Sequence, residues 1–236
     1  ASILIAGPVL ARAGGLRLPP PGGDVIGRRR LDTHIMALRA LGAKVTYDRV
    51  FEIEASELHG ADILLDEASV TATENVIMAA VLAKGDTQIR NAASEPHVQE
   101  VCRFLNSLGA KIDGIGSNTL RISGVTRLKG GEFTIGPDLL EVVSYIGAAV
   151  VTHGEIRIRN AGVQHLEMVG QVFHRLGVHW QVDGDDLIVP SEQPLLIASD
   201  LDGAVPEIKT NVWPAFPTDL ISIAITVATQ ASGSVL

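Results

Sequence analysis

Val76-Ile77-Met78-Ala79-Ala80-Val81-Leu82-Ala83 carries no polar side chain. A surface helix keeps a polar face, so a run of this kind reads as a helix buried all round. A second run, Ile146-Gly147-Ala148-Ala149-Val150-Val151, has the same character. Strand-like stretches such as Thr119-Leu120-Arg121-Ile122-Ser123 alternate instead, so one face of their sheet meets water. Together these predict helices inside and sheets outside, the reverse of the usual α/β layering.

Working outward from Val76, the pattern predicts a strand at 61–65, a helix at 73–83, a strand at 87–90, a helix at 96–108, and strands at 111–115 and 119–123. The order βαβαββ then recurs. Strand 132–135, helix 139–152, strand 155–159, helix 165–176 and strands 178–182 and 186–189 repeat it. The punctuation recurs as well. Asn91-Ala92 returns 69 residues on as Asn160-Ala161, and Leu108-Gly109 returns 68 residues on as Leu176-Gly177. Leu41-Gly42 stands 67 residues before Leu108-Gly109. A fixed period with shared marks is an internal repeat. Upstream lie a helix at 2–13, a strand at 16–18, a helix at 32–41 with Ile35, Leu38 and Leu41 on one face, and strands at 44–47 and 50–54. A last unit opens near Val205 with a helix at 219–229. Two units are whole and two are partial, so residues of the natural protein are expected beyond both ends. Crossovers of the βαβ type require parallel pairing.

Composition narrows the function classes. The 236 residues are 46% hydrophobic and only 4% aromatic, so the core is aliphatic. A net charge of −8 argues against nucleic acid as a partner. The single cysteine, Cys102, cannot form an intrachain disulfide and suits a reducing, cytoplasmic compartment. No apolar run reaches membrane-spanning length, so no membrane role is expected. The seven histidines show no metal-ligand spacing, so they read as surface or structural, and neither metal nor cofactor is expected. Oligomeric state stays open.

The densest cluster of chemistry is Pro21-Gly22-Gly23-Asp24-Val25-Ile26-Gly27-Arg28-Arg29-Arg30-Leu31-Asp32-Thr33-His34. Its glycines let the backbone approach a ligand closely. Its arginines offer planar paired donors suited to phosphate or carboxylate. Two readings stand level: an anion cradle with a proton donor at Asp24, or a solvated basic loop. A second stretch, Asp66-Glu67-Ala68-Ser69-Val70-Thr71-Ala72-Thr73-Glu74, opens the apolar helix. Helix N-termini favour anions, yet Ser69, Thr71 and Thr73 are also ordinary capping residues. Equivalent helix starts are Gly136-Pro137-Asp138 and Trp213-Pro214-Ala215-Phe216-Pro217-Thr218-Asp219. In the latter, Asp219 is either a plain helix acid or part of a pocket.

Taken together, Pro21 to Arg29, Asp32-Thr33-His34, Ala72-Thr73-Glu74-Asn75, Asn91-Ala92-Ala93-Ser94-Glu95-Pro96 and Phe216-Pro217-Thr218-Asp219-Leu220 resemble the enolpyruvyl transferases. Pro-Gly-Gly-Asp and Phe-Pro-Thr-Asp resemble the sugar-nucleotide branch more than the shikimate branch. The likeness runs along the whole chain and corresponds to the middle of the family's own chain.

The resemblance implies two lobes, each an inside-out α/β barrel of such units and each incomplete here: residues 1–135 in the first and 136–236 in the second. It implies transfer of the enolpyruvyl group of phosphoenolpyruvate to the 3′-hydroxyl of UDP-N-acetylglucosamine, with release of phosphate, in peptidoglycan synthesis. By the same resemblance Asp24, where the family usually has cysteine, is the general acid. Arg29 grips phosphoenolpyruvate; Arg30, Leu31, Asp32 and Thr33 form the uridine-binding turn. Glu67, Ala68, Ser69 and Val70 lie beside the nucleotide phosphates, and Asp219 accepts the hydroxyl proton. Asp24 and Asp219 would sit on different lobes, so closure would assemble the site. The 236-residue chain alone is therefore expected not to turn over. Three residues depart from the family pattern: Glu67 where lysine is frequent, Thr71 where glycine is usual, and Leu139 where arginine is usual. Alternatives are a shikimate-pathway enolpyruvyl transferase and a non-catalytic sugar-nucleotide binder.

Overall fold

The computed structural model describes residues 3–20, 22 and 31–236. The chain divides into two compact units, Ala1–Thr134 and Ile135–Leu236.

In the first unit a 3-10 turn, Ile3–Ile5, leads into α1 (Ala6–Ala13). Strand β1 (Gly15–Leu18), helix α2 (Asp32–Ala40) and strands β2 (Lys44–Asp48) and β3 (Val50–Glu54) follow. These strands form an antiparallel sheet in the order β1-β3-β2. The next repeat comprises β4 (Asp62–Leu64), α3 (Val70–Ala80), β5 (Asp86–Arg90), α4 (Pro96–Ser107), β6 (Lys111–Asp113) and β7 (Thr119–Ser123). Its sheet runs β4-β5-β7-β6. The crossover through α3 gives the parallel pair β4–β5; the other two ladders are antiparallel.

The apolar run around Val76 behaves as its composition requires. Helix α3 packs against α1, α2 and α4, and every residue from Ala72 to Ile77 is buried. On β7 Leu120 and Ile122 turn inward while Arg121 and Ser123 face water. The repeated Leu-Gly marks are helix stops. After α2, α4 and the helix that ends before Gly177, the glycine takes a positive φ of 98°, 98° and 77°. The residue beyond each glycine donates back to a carbonyl five residues earlier: Ala43 to Leu38, Ala110 to Leu105, Val178 to Phe173. This is the Schellman closure, and only a left-handed residue completes it. Asn91 and Asn160, the other mark, also have positive φ, 57° and 49°. Asparagine tolerates that region better than other side chains.

The second unit contains α5 (Leu139–Val151), β8 (Ile156–Ile158), α6 (Glu167–Arg175), β9 (Gln181–Asp183), β10 (Asp186–Val189) and α7 (Ile221–Ala228). A 3-10 turn, Thr218–Leu220, precedes α7. The sheet order is β8-β10-β9, the same as β1-β3-β2 and β5-β7-β6.

Three expectations are corrected. Residues 132–135 do not form a strand. Phe133 turns to an edge contact with Phe104 instead, and Ile135 is 78% exposed, so no ladder partner buries this segment. The strand expected at 178–182 begins only at Gln181. The Gln193 amide occupies both backbone groups of His179, accepting from its N–H at 2.8 Å and donating to its carbonyl at 2.9 Å. Those groups are not open to a ladder. Finally, α5 is not buried all round: Leu140, Ser144, Tyr145 and Ala148 are exposed. Where α3 has three helical neighbours, α5 packs chiefly against α7.

Candidate functional site

Two of the stretches singled out by sequence meet in the first unit. Thr33, in the first turn of α2, is fully buried at its side chain. Its hydroxyl donates to Asp66 Oδ1 at 2.6 Å and also reaches Glu67 Oε1 at 3.3 Å. Asp66 and Glu67 lie between β4 and α3. The N-terminal ends of α2 and α3 are thereby tied side by side. Ser69 is the N-cap of α3, its hydroxyl accepting from the Ala72 N–H at 3.4 Å. Thr73 is no cap. Its hydroxyl donates to the Ser69 carbonyl and accepts from the Ala93 N–H at 3.0 Å, which fastens α3 to the loop after β5.

Beneath this surface lies a polar network that sequence reasoning missed. Asn75 of α3 accepts from the Gly7 N–H at 2.7 Å and donates to the Ile3 carbonyl at 2.8 Å. It also lies 2.9 Å from His34 Nδ1. The amide nitrogen of Asn75 can only donate, so His34 Nδ1 must accept. The imidazole proton then sits on Nε2 and faces Thr71 Oγ1 at 3.2 Å. Burial pulls the His34 pKa down to about 4, so the ring is neutral at pH 7. The signal was present: Thr73-Glu74-Asn75 interrupts a helix with no water-facing side, and buried polar groups need partners.

Glu74 is buried beside this network. Burial raises its pKa; His97 opposes that shift and Glu95 adds to it. Cys102 is buried too, and its thiol is pushed up to about 12, which leaves it protonated and unreactive.

The two ionisable groups give opposite pH dependences. His34 binds a proton more weakly folded than unfolded. Between pH 6.5 and 4 the unfolded chain takes up more protons, so stability falls as pH falls, by roughly 3 kcal/mol. Glu74 holds its proton more tightly when folded, so it lowers stability as pH rises above its ordinary value of 4.5. In a Glu74→Gln background the His34 slope should stand alone. His34→Gln should then remove most of the acid sensitivity, which denaturant melts of the 236-residue chain at pH 7 and 4.5 will show.

Among the expected site residues, Asp24, Arg29 and Arg30 lie outside the described residues. Leu31 is half-buried ahead of α2, and Asp32 is its exposed first residue. Ala68 and Val70 are half-buried around Ser69. The departures have local explanations: Glu67 accepts from Thr33, Thr71 faces His34, and Leu139 packs on the core of the second unit. Asp219 is exposed in the turn before α7, between buried Phe216 and Leu220. Asp138 caps α5, accepting from the N–H groups of Leu140 and Glu141 at 2.8 and 3.2 Å. Among the described residues no helix is long and apolar enough to cross a membrane.

Known proteins resemble the chain throughout. It is 58% identical over all 236 residues to the UDP-N-acetylglucosamine 1-carboxyvinyltransferase of Bradyrhizobium diazoefficiens and 55% identical to that of Treponema denticola. It covers 55% of each of those proteins, so it spans about half the length of the curated relatives it matches. In structure it is similar to an enolpyruvyl transferase from Streptomyces tendae, with a TM-score of 0.78 and 22% identity, over 95% of this chain and 53% of that one. It is similar to the EPSP synthase of Acinetobacter baumannii with a TM-score of 0.64 and 16% identity, over 96% of this chain and 51% of that one. The mixed α/β architecture is thus the enolpyruvyl transferase fold. The family model for EPSP synthase (3-phosphoshikimate 1-carboxyvinyltransferase) matches residues 1–235, and the chain belongs to that family.

Proposed function

We propose that this chain is part of a cytoplasmic transferase that moves the enolpyruvyl group of phosphoenolpyruvate to the 3′-hydroxyl of UDP-N-acetylglucosamine, releasing phosphate, in peptidoglycan synthesis. The observation that carries this reading is the 58% and 55% identity, over the whole chain, to proteins named for that activity. The site supports it. Thr33 of the proposed uridine turn is hydrogen-bonded to Glu67 of the proposed diphosphate stretch, so the two nucleotide-contacting segments are neighbours. Paired helix ends also suit an anionic ligand. In this reading Arg29 and Arg30 hold negative charge, Asp24 donates the proton and Asp219 accepts one. The shikimate-pathway reaction is the second reading, motivated by the name of the matching family.

The test is phosphate release by the full-length protein. Phosphoenolpyruvate with UDP-N-acetylglucosamine should release phosphate; phosphoenolpyruvate with 3-phosphoshikimate should not. The reverse result would assign the second reading.

Asp24 gives a further check. The family's cysteine at this position is the atom that fosfomycin alkylates, and a thiolate is a far better nucleophile than a carboxylate. The full-length protein should therefore be active and insensitive to fosfomycin. Asp24→Cys should stay active and become inactivated over time. An Asp24→Cys protein that stays resistant would remove Asp24 from the catalytic position.

A further inference from the structure

Two histidines of the second unit meet although their spacing in the chain gave no hint of it. His174 is in the last turn of α6, and His179 lies five residues on. Positions five apart do not share a helix face. The helix stops at Arg175, and Gly177 with φ 77° turns the chain back. The two Nδ1 atoms then stand 3.1 Å apart, with ring planes at 84° and the nitrogen edges facing. Both rings are exposed.

The position of His179 is set by its backbone. The Gln193 amide grips both backbone groups of His179 and donates to the Pro190 carbonyl as well. His174 is fixed by the helix. The pair lines a cavity of about 450 Å³ that Glu167, Gln171 and Trp180 also line. Gly170 forms part of its wall, and a Cβ there would come 3.3 Å from the Trp180 ring.

We propose that His174 and His179 form a two-histidine site for a borderline divalent transition metal of the Zn²⁺, Ni²⁺ or Cu²⁺ class. Imidazole nitrogens bind such ions at about 2.0–2.1 Å. Two such bonds spanning the observed separation subtend about 100° at the metal, between the octahedral and tetrahedral values. Either ring nitrogen can serve as ligand when neutral. Among the described residues no group of three or more His, Cys, Asp or Glu side chains could hold a metal. The ion therefore takes two protein ligands and completes its shell with water in the cavity. It would clip the end of α6 to the segment that leads into β9.

The alternative is that the pair only shares a proton, one Nδ1–H donating to the other nitrogen. Titration of the 236-residue chain with Cu²⁺ separates the two. Trp180 lines the cavity and reports binding, in a Trp213→Phe background that removes the second indole. Saturable quenching at one equivalent is expected at pH 7.5. It should weaken at least tenfold at pH 5.5, because protons compete for the same nitrogens. His174→Gln and His179→Gln should each weaken it at least tenfold, and Zn²⁺ should raise the melting temperature of the parent chain but of neither variant. Both side chains are exposed, so the variants are expected to fold, which the metal-free melting temperature checks. Quenching that survives either substitution, or a Zn²⁺-induced rise in melting that persists in both, would overturn the site.

Discussion

Asp219→Asn should lower the kcat of the full-length protein by about 10²–10⁴-fold while leaving the KM for UDP-N-acetylglucosamine nearly unchanged. The carboxamide keeps the shape of the side chain but cannot accept a proton at neutral pH. The competing account is that Asp219 merely sits well at a helix start. A helix-end acid contributes about 0.3–1 kcal/mol of stability and nothing to turnover. The loss expected of a catalytic base is about 3–5 kcal/mol in the barrier. The two accounts thus differ in both size and observable. Asp219 is exposed and lies between two buried apolar anchors, Phe216 and Leu220, so the fold should tolerate the change. Steady-state kinetics and a thermal melt on the same preparation decide the matter. A small drop in melting temperature with turnover near wild type would return Asp219 to the helix end and remove it from the chemistry.

Gly7→Ala should cost the first unit about 2–4 kcal/mol. Alanine is the better helix former by about 1 kcal/mol, so a surface position would gain from the change. Here a Cβ would lie 2.2 Å from the Asn75 backbone carbonyl oxygen. Backbone cannot swing aside as a side-chain tip can, so α1 must move off α3. Overpacking of this kind costs about 1–3 kcal/mol and at times more. The Gly7 N–H to Asn75 Oδ1 bond is lost with it, stranding a buried acceptor at about 1–3 kcal/mol. The melting temperature should fall by about 5–15 °C. Gly130→Ala, where a Cβ meets nothing within 4 Å, is the control and should be near neutral. Equal melting of the two variants would show that the crossing of α1 and α3 yields to pressure.

Much of the fold was legible because its signals are local. An eight-residue apolar run can only be buried, and Leu-Gly and Asn-Ala recur because the same left-handed stops recur after equivalent elements. The errors have a shared cause: partners distant in sequence. Gln193 takes the backbone of His179 from the strand, and the neighbours available to α5 differ from those of α3. The network around Asn75 escaped notice for a related reason. Its burial followed from the apolar run, but its partners Gly7, Ile3 and His34 lie 68, 72 and 41 residues away in the chain. Of the proposed site, the juxtaposition of Thr33 with Glu67 was not visible in the chain, since the two are 34 residues apart and meet only where α2 packs directly on β4. The roles of Asp24, Arg29 and Arg30 rest on resemblance alone.

The repeated strand order has a consequence for how the protein is made. Each sheet draws its strands from one continuous stretch: Gly15 to Glu54, Asp62 to Ser123, Ile156 to Val189. Among the described residues no ladder joins a strand of one stretch to a strand of another. On the ribosome a sheet can therefore close as soon as its own stretch has emerged, without awaiting later synthesis. The buried helices cannot. Gly7 meets Asn75 across 68 residues of chain, so the α1–α3 contact can form only once α3 has been released.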